Sequence, residues 1–159
     1  IRMTMEQAAR YYPDVPVQLD MSKISLPTPI CPEYSSSMFD LFFIFLTNML
    51  KYSKNTNPRI FQIYSQMIDE NIIKISLIND IQDNIHEDDL NQIFDEKMND
   101  MTKLQQEGGS GLVKAMTIVK YDFGNINNTF TIKAIGGKCV VDIFFNIKEM
   151  LVNEKNIIS

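Results

Sequence analysis

Residues Phe45–Ser53 read FLTNMLKYS, and this stretch decides how the rest of the chain is read. It ends a very apolar run, Met38–Leu50 (MFDLFFIFLTNML), interrupted by Asp40 and Asn48. A bilayer span needs about 20 apolar residues, so the run is too short to cross a membrane and predicts a buried helix. Ser36 or Ser37 is a suitable N-cap, and the turn residues KNTNP at Lys54–Pro58 stop the helix near Ser53. An asparagine on such a helix is costly to bury without partners. Taken alone, Asn48 reads as an amide near a helix end, satisfied by backbone or water. Lys51 and Tyr52 follow within one helical turn.

Working outward, the N-terminal side offers a short helix at Met3–Tyr12 closed by Pro13 and Pro16, a strand at Val17–Asp20, and a Pro/Ser-rich loop at Ser25–Ser37. On the C-terminal side, Arg59–Ile68 and Ile72–Ile78 alternate with period two around Asp69-Glu70-Asn71, a hairpin pattern. Phe61, Ile63 and Met67 share one side of the first strand; Ile73, Ile75 and Leu77 share one side of the second. From His86 to about Leu104 the apolar residues fall at helical spacing, with an acidic outer face. The glycine-rich loop QQEGGSG (Gln105–Gly111) opens a helix to about Tyr121, with Leu112, Ala115, Met116 and Val119 inside and Gly124 placed to end it. A second hairpin, Thr129–Ile135 and Lys138–Ile147 around Gly136-Gly137, closes the domain. The order is strand, long helix, hairpin, helix, glycine loop, helix, hairpin. It predicts an α+β fold, a two-layer α/β sandwich with a mixed sheet and helices on one face.

Composition narrows the function classes. The 159 residues fit one domain with a short leader: residues 1–16 as a leading helix or linker, 17–150 as the domain, 151–159 as a tail. An apolar fraction of 45% and ten phenylalanines supply a core and exclude wholesale disorder. A net charge of −5 gives no basic footprint, so nucleic acid is not an expected partner. Cys31 and Cys139 lack CxxC spacing and read as two reduced thiols. The chain begins at Ile1, which reads as part of something longer, and its start has no n-region, apolar h-region and cleavage site, so export is not expected. A cytoplasmic domain without membrane contact is expected.

Three clusters carry chemistry. The first is Asn48 with Lys51 and Tyr52. The second is SLINDIQDNIHEDDL (Ser76–Leu90), in which Asp80 stands just past the strand's apolar run, where side chains tend to face a site. Alone, Asp80 reads as a structural residue before a turn. The third is EGGSGL (Glu107–Leu112), glycines just before a helix, where free N–H groups and the helix dipole favour a phosphate. Alone, it reads equally well as a flexible loop.

In this order and spacing, the clusters resemble the catalytic ATP-binding domain of histidine kinases, in the GHKL superfamily. FLTNMLKYS is similar to that family's N box, Asp80 falls where its first glycine box has an Asp, and EGGSGLVKAMTIVKYDFG (Glu107–Gly124) is similar to its second glycine box and helix. The resemblance covers about Val17 to Ile147 and implies a Bergerat-type ATP-binding fold with ATP and Mg²⁺ as cofactors. It implies that Asn48 coordinates the Mg²⁺, Lys51 contacts phosphate, Tyr52 packs against the base, and Asp80 accepts a hydrogen bond from the adenine amine. Gly108, Gly109, Ser110, Gly111 and Leu112 become nucleotide-binding, with Gly109 and Gly111 admitting the phosphates to the backbone. The lid becomes His86–Gln106.

The sequence departs from the family pattern at two places. The first glycine box, Asp-x-Gly-x-Gly, is Asp80-Ile81-Gln82-Asp83-Asn84 here, with a Cβ at both glycine positions. One turn before Asn48, where ATPase branches carry a base for water, stands Ile44, with Asp40 a further turn back; little intrinsic ATP hydrolysis is expected. His86 reads as an exposed residue at the lid and not as a phosphoacceptor. Two functions follow from these readings. One is a kinase catalytic domain or ATP-dependent switch of a larger protein, whose partners are other domains of the parent chain or a phosphoacceptor protein. The other is a degenerate pseudo-ATPase used as an interaction or dimerisation module, with a homodimer left open.

Overall fold

The computed structural model describes residues 16–25, 32–99, 110–123, 128–148 and 150. The leading helix expected at Met3–Tyr12, residues 26–31 of the Pro/Ser-rich loop with Cys31 among them, the end of the lid, Gly108, Gly109, Gly124 and the tail lie outside the described residues. The elements in chain order are β1 (Val17–Lys23), α1 (Ser35–Tyr52), β2 (Arg59–Met67), β3 (Ile72–Asp80), α2 (Glu87–Asn99), α3 (Ser110–Thr117), β4 (Thr129–Ile135) and β5 (Lys138–Asn146). A 3-10 turn at Pro32–Tyr34 leads into α1, and a π-helical turn at Ile118–Asp122 continues α3.

The sheet is five-stranded in the order β1-β2-β3-β5-β4. β1 and β2 run parallel, and every other pair is antiparallel. A parallel pair cannot be joined by a tight turn, so the chain between β1 and β2 must cross over the sheet. The chain makes that crossing with α1.

One face of the sheet is buried. Phe61 and Ile63 on β2, Ile73, Ile75 and Leu77 on β3, Phe130 and Ala134 on β4, and Cys139, Val141, Ile143 and Phe145 on β5 all belong to the core. The alternate residues remain half-buried or exposed apart from Ser76, which donates a hydrogen bond to Asp142 across the strands, as period two requires when helices cover a single face. From the helix layer, Leu41, Phe42, Phe45, Leu46 and Met49 of α1 and Ala115 of α3 are buried in the same core. Phe45 stacks edge-on to Phe130, with ring centroids 4.9 Å apart. The sandwich and mixed sheet expected from the sequence are both present.

Several boundaries differ for identifiable reasons. α1 starts at Ser35, with Tyr34 at its N-cap and no side-chain capping bond, not at Ser36 or Ser37. Tyr34 packs its ring against Phe123 at 5.8 Å, and the 3-10 turn runs straight into the helix, so aromatic packing and not a serine cap sets the start. Ser37 instead donates to Asp122. β1 runs three residues further than expected, to Lys23. β3 continues past Ile78 to Asp80, because Asn79 and Asp80 pair with Cys139 and Lys138 of β5. Met67, expected on the inner side of β2, is exposed at the strand's end. The second helix begins one residue later than expected, at Glu87, after an exposed His86.

α2 is attached to the sheet's open edge by a side chain that imitates a strand. Asn91 Nδ2 donates to the Ala134 carbonyl at 2.9 Å, and the Ala134 amide donates to Asn91 Oδ1 at 2.7 Å. Glu87 also accepts a hydrogen bond from the Gly137 amide in the β4–β5 turn. That turn uses positive φ at Gly136 and Gly137, which glycine adopts without steric cost. Replacing Asn91 with Ala leaves two edge groups of β4 without these partners. The expected result is a loss of ~1–3 kcal/mol in denaturant unfolding, with faster amide exchange in α2 than in β3 and β5.

Candidate functional site

Four residues of α1 (Phe45, Asn48, Met49 and Tyr52) share one helical face, because they fall at i, i+3, i+4 and i+7. All four line one cavity. Its floor is Ile132, Cys139 and Val141 of the sheet, its lid side is Phe94 of α2, and Leu112 of α3 closes a further wall. Tyr52 and Phe94 meet edge to face, with centroids 6.2 Å apart and planes at 89°. The enclosed space is about 30 Å³, enough for a water or two. The walls are apolar except for the Asn48 amide, the Tyr52 hydroxyl and the Cys139 thiol. Burial pushes that thiol up to about 12, so it stays protonated at neutral pH and acts as an apolar wall atom.

Asn48 is half-buried, and no hydrogen-bond partner for its amide occurs among the described residues. Gly111, in the first turn of α3, lies against it. A Cβ built on Gly111 would stand 3.5 Å from Asn48 Nδ2 and 3.5 Å from Ile44 Cγ2. The start of α3, whose first amide groups lack partners within the helix, therefore abuts the Asn48 amide. Two polar contacts hold the helices in that arrangement: Lys114 Nζ to Asp40 Oδ2 at 2.6 Å, and Ser37 Oγ to Asp122 Oδ2 at 3.1 Å.

The C-terminal end of α1 is bound to the exit of β3. The Gln82 amide donates to the Tyr52 carbonyl at 3.0 Å, and Gln82 Nε2 donates to the Lys51 carbonyl at 3.3 Å. These bonds satisfy carbonyls that a helix end leaves open. Arg59 Nη1 donates to the Leu50 carbonyl and to Ser53 Oγ, both at 3.0 Å, placing a cation where the helix dipole favours one. Gln82, which stands where a glycine was expected, thus serves as a C-cap.

Of the residues anticipated from the sequence, Asn48, Tyr52 and Leu112 come together on the cavity wall, and Gly111 lies beside them. Ser110 opens α3. Two others are placed elsewhere. Lys51 is exposed and does not line the cavity. Asp80 is the last residue of β3, and its side chain, 54% exposed, is on the sheet's outer face in an ion pair with Lys138 at 2.7 Å. It lines a separate, open polar depression with Lys54, Gln82, Asp83 and Glu87. There Asp83 pairs with Lys54 at 2.8 Å and raises the lysine's pKa. Among the described residues, no group of three or more His, Cys, Asp or Glu could hold a metal ion, and no helix is long and apolar enough to cross a membrane.

Residues 1–147 match the family described as "y4jQ C-terminal putative histidine kinase domain". The chain belongs to this family. Solved structures of histidine kinases share the y4jQ-type fold found here. The mycobacterial sensor histidine kinase MprB superposes with a TM-score of 0.60 at 14% identity, over 91% of this chain and 89% of that one. The histidine kinase domain of the Erythrobacter litoralis EL346 blue-light activated histidine kinase gives 0.58 at 15% identity, over 99% and 66%. The Acinetobacter baumannii histidine kinase AdeS gives 0.55 at 16% identity, over 92% and 64%. This chain therefore spans about two-thirds of the AdeS and EL346 structures. No curated protein matches it in sequence.

Within this histidine-kinase-like fold, the sequence reading missed three features. Phe94 was legible only as part of a helical stripe, and its place opposite Tyr52 depends on how α2 docks. Cys139 read as an ordinary buried thiol. Asn79 continues the inward series Ile73, Ile75 and Leu77, so carrying the period-two count one step further would have found it. A Gly111→Ala variant tests the α1–α3 contact. Its Cβ would meet Asn48 and Ile44 at ordinary contact distance, and Ala favours the helix by up to about 1 kcal/mol. Unfolding within about 1 kcal/mol of wild type is expected, and a larger loss would contradict the contact.

Proposed function

We propose that this domain binds Mg·ATP between α1, α2 and the start of α3, and serves as the kinase catalytic domain or ATP-dependent switch of a larger protein. The observation that carries the reading is the Asn48 amide, without a hydrogen-bond partner among the described residues, set on the cavity face of α1 and abutted by Gly111 at the N-terminal end of α3. The donor set suits Mg²⁺ that arrives with its nucleotide. Mg²⁺ keeps much of its water shell and takes one or two protein ligands beside the phosphates, so one amide is adequate without an acidic cluster. Asn48 would hold the metal. The backbone N–H groups opening α3 would face the phosphates, and bound ATP would supply the transferable phosphoryl group.

The cavity is far smaller than the ~300–1,000 Å³ of ordinary ligand sites. Binding therefore requires Phe94 to withdraw from Tyr52, and with it α2. That movement offers a neighbouring domain a signal that depends on nucleotide. Hydrolysis by the domain alone is expected to be slow: Ile44 is apolar, and Asp40 is committed to Lys114. His86, the chain's only histidine, sits in the lid, so a phosphoacceptor would belong to another domain or protein.

A degenerate module that no longer binds nucleotide is the second reading. It is favoured by the pairing of Asp80 with Lys138 outside the cavity and by the use of Gln82 as a helix cap. Titration with ATP, with and without Mg²⁺, separates the two readings. The ATP reading expects binding that tightens with Mg²⁺ and falls at least about tenfold, ~1.4 kcal/mol, in Asn48→Ala. Absence of heat at millimolar nucleotide with folded protein would favour the degenerate module.

A further inference from the structure

We propose that Asn79, and not Asp80, is the residue that selects the base, and that it selects a 6-aminopurine over a 6-oxopurine; this rests on the ATP-site reading above. The pairing of β3 with β5 sets Asn79 opposite Cys139 and Asp80 opposite Lys138. Directly opposed residues in an antiparallel pair share a face and stand side by side, while successive residues face opposite ways. Cys139 lines the cavity, so Asn79 stands beside the cavity floor on the helix-covered face. Asp80 and Lys138 are on the other face, half exposed and paired with each other.

Asn79 is only 2% exposed, and its Oδ1 is buried with no hydrogen-bond partner. The residues in its row across the sheet are Phe61, Cys139 and Ala134, none of which brings a strong side-chain donor. A buried acceptor without a donor is an exception in folded proteins and calls for a water or a ligand. Nδ2 is already engaged, donating to the Asp80 carbonyl at 3.0 Å. That bond fixes the amide's orientation, since only the nitrogen can face a carbonyl. What remains for a ligand is one neutral acceptor. It complements the exocyclic amine of adenine and opposes the O6 acceptor of guanine or hypoxanthine.

The experiment measures affinity for Mg·ATP and Mg·ITP by calorimetry in wild type, Asn79→Leu, Asn79→Ala and Asp80→Asn, with thermal unfolding of each. Asn79→Leu removes the unpartnered buried oxygen and with it the Nδ2 bond to the Asp80 carbonyl, which keeps the Lys54 amide as donor, so the variant should melt close to wild type; the Ala variant serves if Leu does not fit. The expected result is at least tenfold preference for ATP in wild type and Asp80→Asn, and loss of that preference in the Asn79 variants with Mg²⁺ dependence retained. Preference surviving in the Asn79 variants but lost in Asp80→Asn would overturn the assignment. Preference surviving in every variant would overturn it too, leaving the Asn79 oxygen as the site of a buried water. Wild type that binds neither nucleotide would sink the ATP reading itself, an outcome distinct from both.

Discussion

The end of α1 is fixed from two strands at once. Arg59, at the start of β2, holds the Leu50 carbonyl and the Ser53 hydroxyl, and Gln82, just past β3, holds the carbonyls of Lys51 and Tyr52. The Lys54 amide adds a bond to the Asp80 carbonyl at 2.8 Å, and Ser53 bridges to Ile81. Sliding or turning α1 would break several of these bonds together. Because helical spacing then sets every other residue on its face, this anchoring determines where Asn48 and Tyr52 point, and hence where the cavity lies. The opposite end of the cavity face is set by packing, through Phe45 against Phe130.

The same constraint explains why the degraded glycine box is compatible with the fold. A glycine at position 82 could donate the same backbone bond to the Tyr52 carbonyl, whereas the Gln82 side chain adds a second bond, to the Lys51 carbonyl. The exit of β3 is therefore a structural joint in this chain. Prolonging β3 by Asn79 and Asp80 also turns the carboxylate outward and the amide inward. A motif aligned by residue type alone assigns the site role to Asp80; the pleat of the strand assigns the inner position to Asn79.

Most of the fold was legible in the sequence because its signals are local and periodic. The apolar run of α1, the two alternating hairpins and the glycine turn at Gly136-Gly137 each fix an element without reference to the rest. Boundaries set by tertiary partners were not legible: the start of α1 depends on Tyr34 meeting Phe123, and the end of β3 depends on a ladder with a strand some sixty residues away. At the site, Asn48, Tyr52, Gly111 and Leu112 could be collected from motif order. Phe94 could not, because its place across from Tyr52 depends on Asn91 clamping α2 to β4. The outward facing of Asp80 was not legible either, because pairing with β5 carries the strand two residues past Ile78.

In this histidine-kinase-like domain Tyr52 and Phe94 meet across the cavity, with the Asn48 amide on its wall and the start of α3 beside it. The most direct test is side-chain amide NMR of the folded domain during titration with Mg·ATP. The account predicts that the Asn48 amide and the ring signals of Tyr52 and Phe94 shift together and saturate. Signals that stay fixed, or that move only around Asp80 and Lys138 on the outer face, would contradict it.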